Sequence, residues 1–133
     1  MSNETLRQAV STRFKANWST TAESTIDFGS NSRFTPPESA PWVRLMTIEF
    51  ITNNAQVGGD MQRSIGEILV QCFVPINTGE KQLNVMCDAA RTIFQNQNFG
   101  GVSCFATSIN RIGATGNWYQ FNASTAFQYD VFS

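Results

Sequence analysis

Apolar positions along the chain follow two rhythms, one near 3.6 residues and one of two residues, and the change between them marks out the elements. Near the start, Leu6, Ala9, Val10, Arg13, Phe14 and Trp18 keep a helical period, with Glu4 in the first turn where the helix dipole favours an anion. This predicts a helix over about residues 3–17. Thr25–Phe28 reads as a short strand, and Gly29–Pro41, rich in Ser, Asn and Pro, as an extended loop pinned by Phe34 and Trp42. From Trp42 to Ile51, Trp42, Met46, Ile48 and Phe50 share one parity while Arg44 interrupts it, predicting a strand with an imperfect inner face. Thr52–Asp60 exchanges apolar residues for Asn, Gly and Gln, and Gly58 and Gly59 permit positive φ, so a mobile hairpin loop is expected.

The most informative stretch is residues 63–97. Ile65, Ile68, Leu69, Val70, Cys72, Phe73 and Val74 form a dense apolar run between Arg63 and Pro75, fitting a strand covered on at least one face. Pro75 ends the ladder because it has no N–H to give. Asn77 followed three residues later by Glu80 has the spacing of a capping box, predicting a helix that begins near Thr78 and runs to about Gln97. Leu83, Met86, Ala90 and Ile93 give it an apolar stripe, widened by Val85, Ala89 and Phe94.

Behind that helix, Asn96–Gly101 reads as a turn, Val102–Ile112 as a strand, and Gly113–Asn117 as a turn into a last strand from Trp118. Trp118, Phe121, Ala123 and Phe127 do not keep strict parity, which predicts a bulge or twist between residues 119 and 126. The predicted fold is α+β, a mostly antiparallel sheet of about four to five strands with two helices packed on one face. Thr47, Glu49, Gln71, Asn110, Gln120, Asn122 and Ser124 occupy the second parity, so the other sheet face is expected to meet water or a polar subunit neighbour.

Length and composition narrow the function classes. At 133 residues the chain fits one domain, residues 1–133, burying roughly 65–70% of its unfolded surface. Histidine is absent, which removes the commonest general base, metal ligand and triad partner, and weighs against an enzyme. Only carboxylate chemistry survives that argument, and it needs two acids converging in a cleft. A formal net charge of −1 with scattered acids and bases shows no nucleic-acid stripe. Cys72, Cys87 and Cys104 are odd in number and embedded in apolar runs, so they read as reduced core residues with no metal or redox spacing. The polar start, Met1–Leu6, is unlike a signal peptide, and no apolar run approaches the ~20 residues of a membrane span. A soluble, cytoplasmic chain without cofactor is expected, so the Asn-x-Ser/Thr triplets at Asn3, Asn17 and Asn122 are chance matches.

Individual candidate sites dissolve on inspection. Gly113-Ala114-Thr115-Gly116 leads into a strand, whereas a phosphate loop leads into a helix, and Gly58-Gly59-Asp60 lacks the Lys and Ser or Thr of a P-loop. The aromatic tail, Trp118 to Phe132, has no Lys or Arg beside it, so packing suits it better than base stacking. Arg44, amid apolar strand residues, reads as snorkelling or salt-bridged, or as a subunit contact with Glu49 or Glu67 of a neighbour.

The order of landmarks resembles the tail terminator proteins of tailed bacteriophages, in particular small domains similar to the lambda tail terminator. The resemblance covers most of the chain. It rests on the N-terminal helix, Phe34-Thr35-Pro36-Pro37 before Pro41-Trp42-Val43-Arg44-Leu45, Arg63 through Pro75, the Pro75-Ile76-Asn77-Thr78-Gly79 turn, and the ending Trp118-Tyr119 to Phe127-Gln128-Tyr129-Asp130. It implies a virion protein that assembles as a ring, six subunits in the family, on the end of the tail tube. Such a ring stops tube polymerisation, offers its other surface to the head connector or neck protein, and lets DNA pass through its lumen without specific binding.

On this reading Gly58, Gly59, Asp60, Met61 and Arg63 are the expected tube-docking loop, Arg44, Glu49 and Glu67 the expected subunit-interface charges, and Glu49, Asp60 and Glu67 the lumen or interface acids. A neck or head completion protein of similar fold is the alternative within the same class. A small ligand-binding or carboxylate-dependent domain, with a pocket between Phe34–Trp42 and the sheet, is the alternative outside it.

Overall fold

The fold is described from a computed structural model, covering residues 3–20, 25–28, 34–37, 39–54 and 61–132. Helix α1 spans Asn3–Asn17, strand β1 Ile26–Asp27, β2 Trp42–Asn54, β3 Met61–Pro75, helix α2 Lys81–Phe94, β4 Asn98–Phe99, β5 Val102–Thr115 and β6 Trp118–Phe132. They build one six-stranded sheet in the order β1-β2-β3-β6-β5-β4, antiparallel throughout except that β1 runs parallel to β2. The α+β class holds. The sheet exceeds the expected four to five strands because Asn98–Phe99, expected inside a turn, pairs with Val102 and Ser103.

Both helices contribute to one core against one sheet face. Leu6, Val10 and Phe14 form the buried stripe of α1, continued by Trp18 just past its end, and Phe14 stacks on Trp18 at 4.8 Å and on Phe94 of α2 at 6.1 Å between centroids. Leu83, Met86, Cys87, Ala90, Ile93 and Phe94 line the inner side of α2, while Val85, expected to widen that stripe, is exposed. They meet Ile68, Val70, Cys72 and Val74 of β3 and Phe121, Ala123 and Phe127 of β6. Each large side chain so buried contributes about 1.5–3 kcal/mol. Arg13 ties the helices together, donating from Nε to the Ile93 carbonyl at 3.1 Å and from Nη2 to Gln97 Oε1 at 3.3 Å.

Three local expectations are corrected. First, α2 begins at Lys81, with Glu80 in the N-cap position and making no side-chain cap. Asn77 (φ 69°) and Gly79 (φ 82°) both sit in the left-handed region, so the chain turns back on itself before helical geometry can start. Second, β6 pairs with β3 without a register break, and the bulges lie instead in β5, between Cys104 and Thr107 and between Arg111 and Gly113. Consequently Gly113 belongs to the strand, and the hairpin turn is Gly116–Asn117.

The third correction concerns β2. Val43 and Leu45 face the helices and are buried, whereas Trp42, Arg44, Met46 and Ile48 point to the opposite side. Thr47 and Glu49 therefore lie on the helix side, and only Gln71, Gln120, Asn122, Ser124 and Asn110 keep to the polar outer face as expected. Trp42 is buried without helix cover: it stacks on Phe73 at 4.1 Å, meets Trp118 edge-on at 5.9 Å, and is flanked by Phe34 at 5.3 Å. Its indole N–H and the Tyr129 hydroxyl are buried without a hydrogen-bond partner among the described residues. The β2–β3 ladder slips by one residue at Phe50, between the pairs Glu49–Gly66 and Ile51–Ile65.

Candidate functional site

The site that these elements build is a pair of strand edges. β1 covers β2 only at Val43 and Arg44, and among the described residues nothing pairs with the outer edge of β2 from Leu45 to Asn54. On the far side, β4 covers β5 at Val102 and Ser103, and the segment after α2 covers a little more. There the Asn96 N–H donates to the Phe105 carbonyl, the Cys104 N–H to the Gln97 carbonyl, and the Thr107 N–H to Gln95 Oε1. From Ser108 to Thr115 the β5 edge is open among the described residues. Open edges expose rows of unpaired N–H and C=O groups and take up further strands.

Both open edges carry large apolar residues in exposed positions, beside one exposed charge each, Glu49 on β2 and Arg111 on β5, whereas protected edges normally carry charges and prolines instead of large apolar side chains. Met46 and Phe50 stand on β2 and Phe105 and Ile112 on β5, Phe50 being 60% and Ile112 51% exposed. Phe50 and Ile112 are the extra residues of their bulges. Beside the β2 edge, a cleft of about 310 Å³ opens toward α1, lined by Leu6, Arg7, Ser11, Phe28, Leu45 and Glu49.

The residues singled out from sequence do not gather at one place. Gly58, Gly59 and Asp60 lie outside the described residues, and Met61 opens β3 opposite Phe132. Arg63 is half-buried on β3 between Asn53 and Asp130. Arg44 is engaged within its own chain: its Nε meets Asp27 Oδ2 at 3.0 Å, and its guanidinium lies 5.3 Å from the Trp42 ring and 5.9 Å from Phe73. Glu67 lies on the outer face, where its Oε2 accepts a hydrogen bond from Ser124 Oγ at 2.7 Å. Glu49 is exposed on the helix side of the β2 edge, with no ion-pair partner among the described residues. Arg44 and Glu67 thus share a face, and Glu49 is on the other.

Sequence reading passed over Arg111. It lies on the helix side of β5, level with Val43 through Phe121 and Cys72, and its guanidinium sits 5.2 Å from the Phe121 ring. Its Nη2 meets Glu80 Oε1 at 3.0 Å, while Glu80 Oε2 accepts from the Tyr119 hydroxyl at 3.1 Å. The available signal was a lone arginine between Asn110 and Ile112 in a predicted strand. Glu80 is drawn into this cluster instead of capping α2.

The three cysteines are buried and free. Burial pushes the Cys104 thiol up to about 11, and contact with Cys87, 4.0 Å away, together with burial raises Cys72. Among the described residues no group of three or more Cys, Asp or Glu is placed to hold a metal, and no helix is long and apolar enough to cross a membrane.

No family model matches the sequence, and no curated protein matches it. Solved structures do match. One of nearly the same length, whose name states no activity, is similar at a TM-score of 0.75 and 18% sequence identity, covering 100% of this chain and 99% of that chain. At that identity the likeness establishes a shared fold over the whole length.

Proposed function

We propose that this chain is a structural protein of a tailed phage, assembling as a ring on the end of the tail tube, stopping its polymerisation and forming the surface to which the head joins. The observation that carries the reading beyond the sequence resemblance is the pair of open edges. Four long strands, β2, β3, β6 and β5, alternate in direction, so the two edge strands run oppositely. A second copy in the same orientation then presents its β2 antiparallel to β5 of the first, and the sheet continues from copy to copy. Such a contact is heterologous: it closes into a ring when its rotation closes, and a ring is the geometry that caps a tube.

The proposed tube contact is the segment between β2 and β3, residues 55–60, with Met61 and Arg63 at its margin. DNA passes the lumen without being held, which a formal net charge of −1 suits better than a basic lining would.

Light scattering coupled to size exclusion, on the protein alone and with preformed tail tubes, followed by electron microscopy of tube ends, tests the proposal. Rings or capped ends are expected. A chain that ignores tubes and binds the head connector alone overturns the terminator assignment in favour of a neck position.

A further inference from the structure

The two open edges are offset along the strand direction. Through the pairs Glu49–Gly66, Gly66–Phe127 and Phe127–Cys104, Glu49 is level with Cys104, whereas Arg111 is level with Val43. The free part of β2 is therefore at one end of the sheet and the free part of β5 at the other. Two copies in the same orientation overlap their free edges only after sliding by about six residues, roughly 20 Å at the ~3.3 Å rise of a strand. An even slide keeps the helix-facing side chains of both copies on one side of the sheet.

With residues 45–54 antiparallel to residues 108–115 at full overlap, the centres meet: Glu49 of one copy faces Arg111 of the next. Both project to the helix side, both are exposed, and their charges are opposite. Arg111 has five N–H donors and spends Nη2 on Glu80, so the guanidinium can reach a second carboxylate while Phe121 steadies it. On the other side of the sheet the same register brings Met46 and Ile48 of one copy beside Ile112 of the next, removing exposed apolar surface from water.

We infer that β2 of one copy adds antiparallel to β5 of the next in this staggered register, with the Glu49 carboxylate paired to the Arg111 guanidinium across the joint. The inference rests on the proposed ring and specifies its joint. A constant slide per copy also tilts the strands against the ring axis, as sheet closure requires.

Charge reversal tests the pairing. Glu49→Arg alone and Arg111→Glu alone are expected to weaken association at least about tenfold, and the two reversals in one chain to restore most of it. Because Arg111→Glu also sets an acid beside Glu80, a cross-link provides the second measurement. A Glu49→Cys chain mixed with an Arg111→Cys chain and oxidised with copper phenanthroline should give a covalent dimer, absent from either chain alone and from wild type, whose thiols are buried. Rings that cap tubes but ignore the reversals and give no cross-link overturn this register and leave the tail-end role standing. Rescue and cross-linking by a chain without affinity for tubes support the joint and overturn the tail-end role. A chain that stays monomeric alone and on tubes overturns both.

Discussion

Gly66→Ala is the substitution whose cost the structure specifies most directly. Gly66 is the register partner of Glu49, one pair before the β2–β3 ladder slips at Phe50. A Cβ built on Gly66 would stand 1.9 Å from the Ile48 carbonyl oxygen and 2.9 Å from the carbonyl carbon. Ordinary contact between such atoms is about 3.5–4.0 Å, so β2 must retreat from β3 by more than about 1 Å. The obstacle is backbone and cannot rotate aside.

Overpacking of this kind costs roughly 1–3 kcal/mol, and stretching the neighbouring ladder bonds adds about 1 kcal/mol, for a total near 2–4 kcal/mol. At this chain length each kcal/mol lowers the melting temperature by about 3–4 °C, so a fall of about 6–16 °C is expected by circular dichroism. Gly79→Ala is the matched control: among the described residues beyond its chain neighbours no heavy atom lies within 4 Å of an added Cβ, and only the left-handed φ of 82° is penalised, at about 1 kcal/mol. A Gly66→Ala melt within about 2 °C of wild type would refute the close approach of β2 to β3 at this point.

Other perturbations follow from single contacts. Thr107 and Thr125 share a buried hydroxyl contact of 2.7 Å; Thr125→Val should cost about 1–3 kcal/mol in urea unfolding, and Val at both positions should recover most of it. Tyr119→Phe removes the hydrogen bond to Glu80 and should cost about 1 kcal/mol, loosening the start of α2 in hydrogen exchange. The Cys104 thiol, held up to about 11 when folded, ionises near 9 once unfolded. The unfolded state therefore loses its proton first, and stability falls as pH rises from about 9 to 11, by up to roughly 2–3 kcal/mol at one thiol. Cys104→Ala should flatten that decline in denaturant titrations at successive pH values; an unchanged slope would refute the burial argument.

The sequence by itself determined where the chain is helical and where it is extended. The period-four stripe of Leu6, Val10, Phe14 and Trp18 predicts α1 at Asn3–Asn17, and the apolar run ending at Pro75 predicts the central strand, because periodicity and the missing proline N–H are local properties. Burial of three reduced cysteines was legible for the same reason, each sitting in an apolar run.

What the sequence misassigned depended on partners distant in the chain. Trp42 and Met46 invited an inward reading of their parity, yet Phe34, Phe73 and Trp118 bury Trp42 on the face without helices, and Val43 and Leu45 take the core instead. Asn77 and Glu80 have capping-box spacing, but Arg111 of β5 and Tyr119 of β6 claim the carboxylate, and charged contacts from the sheet to the residue before α2 replace the cap. The bulges moved to β5 because a register slip belongs to a pair of strands and neither sequence carries it alone. The edges, too, exist only in the assembled sheet: an open N–H is defined by what fails to pair with it, so Glu49 and Arg111 became a candidate pair only once the order β1-β2-β3-β6-β5-β4 put them at opposite rims.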